Sequence, residues 1–279
     1  YKRQVVAMHL SALGAECRYI SVVGQDKNAA IAAQELERSN VKHFLVEDNS
    51  RPTTFKIRYL VDNQKIFRVS RMKEHSLPRQ VEDQIIKEIK IAVRHVQGIL
   101  ISDFVYGVIT PRVLETITEL SKKHNLLIFG DLQCSSQVGN VSKFKNFDLL
   151  CPTEREARIA MGAQDEGIEW VANTLMKQTN TRNMVMKLGG EGFISYESEA
   201  DGFIKRQHFP ALNVNPVDVA GAGDSLLAVL SVGLCSGATL MQSSAIGAGM
   251  ASIAVQSMGN IPVSHQQLKK QLKKIQLNL

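Results

Sequence analysis

The stretch Asn215-Pro216-Val217-Asp218-Val219-Ala220-Gly221-Ala222-Gly223-Asp224-Ser225 constrains this chain more than any other. Pro216 fixes its own φ and offers no backbone donor, so it ends whatever precedes it. Gly221 and Gly223 allow a tight reversal, and Ser225-Leu226-Leu227-Ala228-Val229-Leu230 then predicts a buried helix. Small residues feeding a helix start leave unpaired N–H groups aimed at one spot, with the positive end of the helix dipole behind them. Such a place holds anions. Gly221, Ala222 and Gly223 are its candidate donors, and Asp224 stands at its mouth. A carboxylate there would repel a resting phosphate. It makes sense as a base that takes a proton from an attacking hydroxyl while the N–H groups hold charge on a phosphoryl group in transit. The alternative is a plain Gly-rich loop with Asp224 as helix N-cap.

At 279 residues the chain can bury a large core as one α/β domain. Cys17, Cys134, Cys151 and Cys235 are scattered with no C-x-x-C, which gives neither a disulfide framework nor a zinc pattern and fits a reducing cytoplasm. No apolar run approaches the ~18 residues that cross a bilayer, so no membrane association is expected. The net charge of +6 owes part to Lys269, Lys270, Lys273 and Lys274 near the end. They read as one solvated helix face without an accompanying aromatic stripe, and nucleic-acid binding is not expected.

Residues 4–15 carry a helical pattern closed by Gly14, residues 19–24 a strand, and residues 28–38 a second helix. This alternation begins a doubly wound sheet. Residues 53–61 and 65–71 then break the rhythm as two β-rich runs about Asp62-Asn63-Gln64, a hairpin with Phe55, Ile57, Tyr59 and Val61 on one face and Lys56, Arg58 and Leu60 on the other. It reads either as a cover over an active-site mouth or as a surface hairpin with a solvated basic face. The α/β pattern resumes with a helix over 85–96 and a strand over 98–101 ending in Ser102-Asp103. Thr110-Pro111 opens a further helix, and residues 126–131 form a strand ending at Asp131. Polar residues just past parallel strands lie on the ligand edge of such a sheet. Asp131 is read equally as a site residue or a turn carboxylate. Glu156 falls in the first turn of a helix, where a carboxylate suits the dipole. Residues 184–196 read as strand, Gly-rich turn and strand, which a β-hairpin explains by itself. Residues 245–255 form a helix that Gly259 closes.

Asp218-Val219-Ala220-Gly221-Ala222-Gly223-Asp224 resembles the D-T-x-G-A-G-D signature of the ribokinase-like (PfkB) carbohydrate kinases, with Val219 at the usual Thr. Further likeness runs from Ala12 to about Pro262. Arg51-Pro52-Thr53-Thr54-Phe55-Lys56-Ile57-Arg58 and Asn63-Gln64-Lys65-Ile66-Phe67-Arg68 are similar to the lid of the heptose-7-phosphate kinases within that family, which serve bacterial ADP-heptose synthesis. Ser102-Asp103-Phe104-Val105-Tyr106-Gly107 resembles their S-D-Y-x-K-G with Tyr106 at the Lys, and Asp131-Leu132-Gln133 stands where they have D-P-K. Thr153 to Glu156 stands at the family's N-x-x-E, and Ala248 where an Asn is common. Tyr1-Lys2-Arg3-Gln4-Val5 stands in place of a sugar-gripping G-G-x-x-N loop, and the family's first strand has no counterpart, so the chain is expected to be N-terminally incomplete.

The resemblance implies a three-layer α/β sandwich with a mainly parallel sheet, helices on both faces and a small β lid. Residues 1–279 would form one domain with the lid at residues 41–71. It further implies an ATP-dependent phosphotransferase acting on a hydroxyl of a sugar or sugar phosphate, such as a heptose phosphate of a lipopolysaccharide-precursor pathway. Asp224 would be the base; Gly221, Ala222 and Gly223 the anion hole; and Lys187, Gly189, Gly192 and Gly259 the ATP contacts. Glu156 would organise Mg²⁺, Asp218 and Ala220 would hold a monovalent cation such as K⁺, and Asp103, Lys56 and Arg58 would meet the substrate. The lid would pair two subunits as a homodimer. The competing expectation is a kinase-fold protein that binds nucleotide or a partner without catalysis.

Overall fold

A computed structural model describes residues 4–61, 64–134, 139–213 and 215–277. Its central sheet has six strands in the order β10-β9-β8-β7-β6-β5. They are β5 (Gly98–Asp103), β6 (Leu127–Leu132), β7 (Leu149–Leu150), β8 (Asn183–Lys187), β9 (Phe193–Ser198) and β10 (Ile204–Phe209). From β5 to β8 neighbours run parallel; β9 and β10 add an antiparallel edge. Strands β1 (Arg18–Val23) and β2 (Lys42–Glu47) form a separate parallel pair, and β3 (Phe55–Val61) with β4 (Gln64–Arg71) the lid hairpin.

Strands buried on both faces must be apolar at successive positions, and these are. On β6, Ile128 enters the core on one face and Phe129 the core on the other; on β8, Met184 and Met186 oppose Val185 in the same way. The first core is covered by α3 (Arg79–Ala92), α4 (Pro111–His124), α5 (Glu154–Met161) and α6 (Ile168–Thr179), which supply Ile85, Ile117, Ala157 and Leu175. The second is covered by α1 (Val5–Ala12), α7 (Ala222–Cys235) and α8 (Leu240–Ala254) through Val6, Leu227 and Leu240. This is the three-layer sandwich that the resemblance implies. Helix α2 (Lys27–Arg38) is capped by Asp26, whose Oδ1 accepts from Asn28 and Ala29 N–H, and α9 (His265–Leu277) carries the basic face with Leu268 buried beneath. Helix α3 begins six residues ahead of the predicted start, at Arg79, because Leu77 and Val81 also find the core.

The insert anticipated at residues 41–71 divides. Lys42–Glu47 pairs with β1 and sends Val46 into the same core as Val22, leaving β3 and β4 as the hairpin. Asp62 and Asn63 of the predicted turn lie outside the described residues, as do Tyr1, Lys2 and Arg3. The buried Arg51 holds the hairpin's stalks: its Nε donates to Asp48 Oδ2 (2.7 Å), and its guanidinium nitrogens donate to the carbonyls of Tyr106 (2.9 Å) and His75 (2.7 Å). Both ends of the lid are thereby fastened to the loop that follows β5.

Candidate active site

Helix α7 begins where the glycines place it. Gly221 is its N-cap at φ +89°, and a Cβ there would come within 2.3 Å of Asn260 Oδ1. A left-handed residue without a side chain is what this corner requires. Asp224 is not the N-cap. It sits in the first turn, 3% exposed, with Gly223 and Ala222 ahead of it. The first-turn N–H groups of a helix have no intrahelical acceptor, so those ahead of Asp224 are the donors a bound anion could use.

Strands β6 and β8 end at the same edge. Strand β6 delivers Asp131, fully buried, and Gln133 just past it. Strand β8 delivers Lys187, whose Nζ lies 2.6 Å from Asp131 Oδ1 and whose chain packs against Gly223. Gln133 Nε2 lies 2.7 Å from Asp224 Oδ1 and 2.9 Å from Asp131 Oδ2. Burial alone would depress the Lys187 ammonium, but the Asp131 and Glu156 carboxylates outweigh it and hold its pKa above the ordinary lysine value. The amine therefore stays charged beside Gly223 at the start of α7.

Glu156 closes the start of α5. Its Oε2 accepts from Thr153 N–H (2.8 Å), Thr153 Oγ1 accepts from Glu156 N–H (3.2 Å), and Oε1 reaches Cys134 N–H (2.9 Å). Thr153, where the resemblance led to an Asn, thus completes a capping box. Each carboxylate oxygen keeps a further lone pair for water. Among the described residues no group of three His, Cys, Asp or Glu side chains could hold a metal. A cation borne chiefly by water and nucleotide phosphates, as Mg²⁺ usually is, fits such a site.

The remaining predicted residues fall in three places. Asp218 Oδ1 accepts from Ala220 N–H (2.9 Å) and Oδ2 from Gly259 N–H (3.3 Å), beside the buried Asn260 Oδ1, which has no hydrogen-bond partner. An orphaned oxygen next to a carboxylate is a donor set suited to a monovalent cation. In the turn between β8 and β9, Gly189 has φ +65° with open space around it, whereas a Cβ on Gly192 would meet Phe209 O at 2.1 Å. Gly192 is thus demanded by the hairpin itself. On the lid side, Lys56 Nζ donates to Tyr106 Oη and, with Arg58, Ser21 and Asn28, lines a cavity of about 80 Å³. Asp103 pairs with Lys143 and accepts from Val105 N–H (2.9 Å), and the β5–β6 register sets it opposite Leu132, next to Asp131.

Sequence reasoning missed Gln133, which it met only as a replaced lysine. The available signal was its place just past the C-terminal end of a parallel strand.

Comparison with known proteins follows the same lines. Two bacterial relatives are both bifunctional protein HldE: that of Trichlorobacter lovleyi is 30% identical over 263 residues, covering 93% of this chain and 52% of the relative. That of Helicobacter hepaticus is 26% identical over 267 residues, covering 94% and 54%. The chain therefore spans about half the length of the curated relatives it matches. Among solved structures, phosphofructokinase-2 of Escherichia coli in complex with potassium superposes with a TM-score of 0.79 at 17% identity, covering 99% of this chain and 87% of that one. Ribokinase of Thermotoga maritima gives 0.74 at 20% identity, covering 98% and 86%. At these identities the likeness is one of fold. The pfkB family carbohydrate kinase pattern matches residues 2–267, a span that takes in β6, β8, α5 and α7 and every side chain gathered at their common edge. By that match the chain belongs to the pfkB family of carbohydrate kinases.

Proposed function

We propose that this chain transfers the γ-phosphoryl group of ATP to a hydroxyl of a sugar phosphate, with a heptose phosphate as the first acceptor to try. The observation that carries the reading is the placement of Asp224 in the first turn of α7, behind the Gly221-Ala222-Gly223 corner and within reach of the Lys187–Asp131 pair. Asp224 accepts the proton of the acceptor hydroxyl as its oxygen attacks. The N–H groups at the start of α7 hold the charge spread over the phosphoryl oxygens, and Lys187, kept charged by Asp131, adds a cation on the same side. Glu156 would hold Mg²⁺ through water, and the ion would supply neutralisation of nucleotide phosphate charge. Gly189 and Gly259, both at positive φ with open space around them, leave room for the nucleotide; Gly192 shapes the turn. Asp218, Ala220 and Asn260 Oδ1 would hold K⁺ close to the start of α7.

The acceptor lies in the cavity under the lid. Lys56 and Arg58 supply its positive charge, which suits an anionic substituent on the sugar, and Asp103 sits at the neighbouring strand end. The outer lid face leaves Ile57, Tyr59, Phe67 and Val69 exposed, with Tyr59 and Phe67 stacked at 4.4 Å. A second copy covering this face makes a homodimer. Phe55→Asp with Tyr59→Asp then halves the mass in light scattering, and a wild type that is already monomeric rules the pairing out.

The test of the chemistry is Asp224→Asn, which keeps the shape and cannot take the proton. With MgATP and a panel of sugar phosphates it lowers turnover by at least ~10² while ATP affinity, by calorimetry, stays within a few-fold. Near wild-type turnover in this variant would falsify the assignment of the base.

A further inference from the structure

Resting on the reading of Asp224 as the base, the geometry points to Gln133 as the residue that positions it. The amide of Gln133 meets one oxygen of Asp224 at 2.7 Å and one of Asp131 at 2.9 Å. Both partners are acceptors, so the end of the amide turned toward them is its –NH₂, with one hydrogen for each carboxylate. The two carboxylates would repel one another without it. Asp131 spends its other oxygen on Lys187, and the result is a chain running ammonium, carboxylate, amide, carboxylate from β8 through β6 to α7.

Gln133 is itself held on both sides. Its backbone N–H donates to Asp103 O at 2.8 Å, and the next residue, Cys134, donates to Glu156 Oε1 at 2.9 Å. A side chain on so fixed a backbone can hold Asp224 in one rotamer. Its neutrality matters too. An amide orients the carboxylate and leaves its negative charge in place. Among the described residues, Asp131 of β6 lies across the amide from Asp224, and Lys187 of β8 lies beyond Asp131.

The experiment compares Gln133→Ala, Gln133→Asn and Gln133→Glu with wild type in two ways. The first is the pH profile of kcat for phosphoryl transfer from MgATP to the sugar-phosphate panel. The second needs no turnover: titration of the Asp224 carboxyl by ¹³C NMR, assigned by its loss in Asp224→Asn. Loss of the amide donor moves the acidic limb and the Asp224 titration upward by about one pH unit in Gln133→Ala, and further in Gln133→Glu, where a third carboxylate joins the other two. In Gln133→Ala kcat falls about tenfold or more while KM for MgATP stays within about twofold. A purely structural role would reduce the folded fraction without moving either titration. If Gln133→Glu does not fold, the Ala and Asn variants carry the same comparison. An Asp224 titration that is the same in wild type and every folded variant overturns the inference. A wild type that phosphorylates no acceptor counts against the kinase reading, while the NMR titration still decides whether Gln133 holds Asp224.

Discussion

Replacing Lys187 by Met tests whether the Lys187–Asp131 pair is as buried and as exclusive as its geometry. Asp131 is 0% exposed and Lys187 14% at its side chain, with 2.6 Å between the charged atoms. Removing the ammonium leaves a carboxylate in the protein interior with one donor, the Gln133 amide at 2.9 Å. Breaking a buried ion pair from one side typically costs about 3–5 kcal/mol, because the surviving charge keeps its desolvation penalty and loses its partner. The remaining amide bond places Lys187→Met near the lower end, about 3 kcal/mol. The double variant Lys187→Met/Asp131→Asn removes the charge, keeps an acceptor for Gln133 and recovers most of that loss. Urea unfolding followed by circular dichroism reads both, with an unchanged m-value marking a true change in stability. A single variant within about 1 kcal/mol of wild type, or a double variant no better than the single, refutes the reasoning.

Two further expectations concern other parts of the molecule. His9 is 1% exposed, its Nδ1 accepts from Val263 N–H at 3.2 Å, and burial holds its pKa down at about 4 against the ordinary 6.5. The folded state thus binds this proton less readily than the unfolded one. The stability His9 contributes is complete above about pH 6.5 and is lost as pH falls toward about 4, by about 3 kcal/mol. His9→Gln, which keeps an acceptor for Val263, flattens that slope in urea midpoints measured across the range; an equal slope in both proteins removes His9 from the account. In the turn after β8, Gly192→Ala would put a Cβ 2.1 Å from Phe209 O, whereas Gly189→Ala meets nothing within 4 Å. Thermal unfolding should show about 3 kcal/mol lost in the first and about 1 kcal/mol in the second, and equal losses would contradict the contact.

Much of this fold is legible because its signals are local. The consecutive apolar residues of β6 and β8, Pro111 at the start of α4 and the glycine corner before α7 each declare themselves within a few residues. Strand β2 is quieter: Lys42, Phe44 and Val46 share one side, but only Val46 is fully buried, and its partner β1 lies a helix away. The site divides in the same manner. Asp224 and its glycines are read from one heptapeptide, because a helix start carries its chemistry with it. Gln133 is not, because its meaning comes wholly from Asp131 and Asp224, and no periodicity reports that a side chain past β6 will face the first turn of α7. The lid shows a third case. Its strands are visible as alternating residues, yet the Arg51 clasp that fastens it depends on the carbonyls of His75 and Tyr106, which any sequence would supply.

The bond between Gln133 and Asp224 joins residues 91 apart in the chain, and that separation has a consequence for folding in time. Closing so long a loop is entropically costly and is repaid only after the strands between have paired, so the contact forms late. On a ribosome adding residues at ordinary speed, Asp131 and Gln133 precede Asp224 by about 5–20 s. Throughout that interval β6 can offer a carboxylate edge with no helix α7 to complete it. In refolding from urea, the local helices should therefore return first, and the closed edge should appear with the slowest phase.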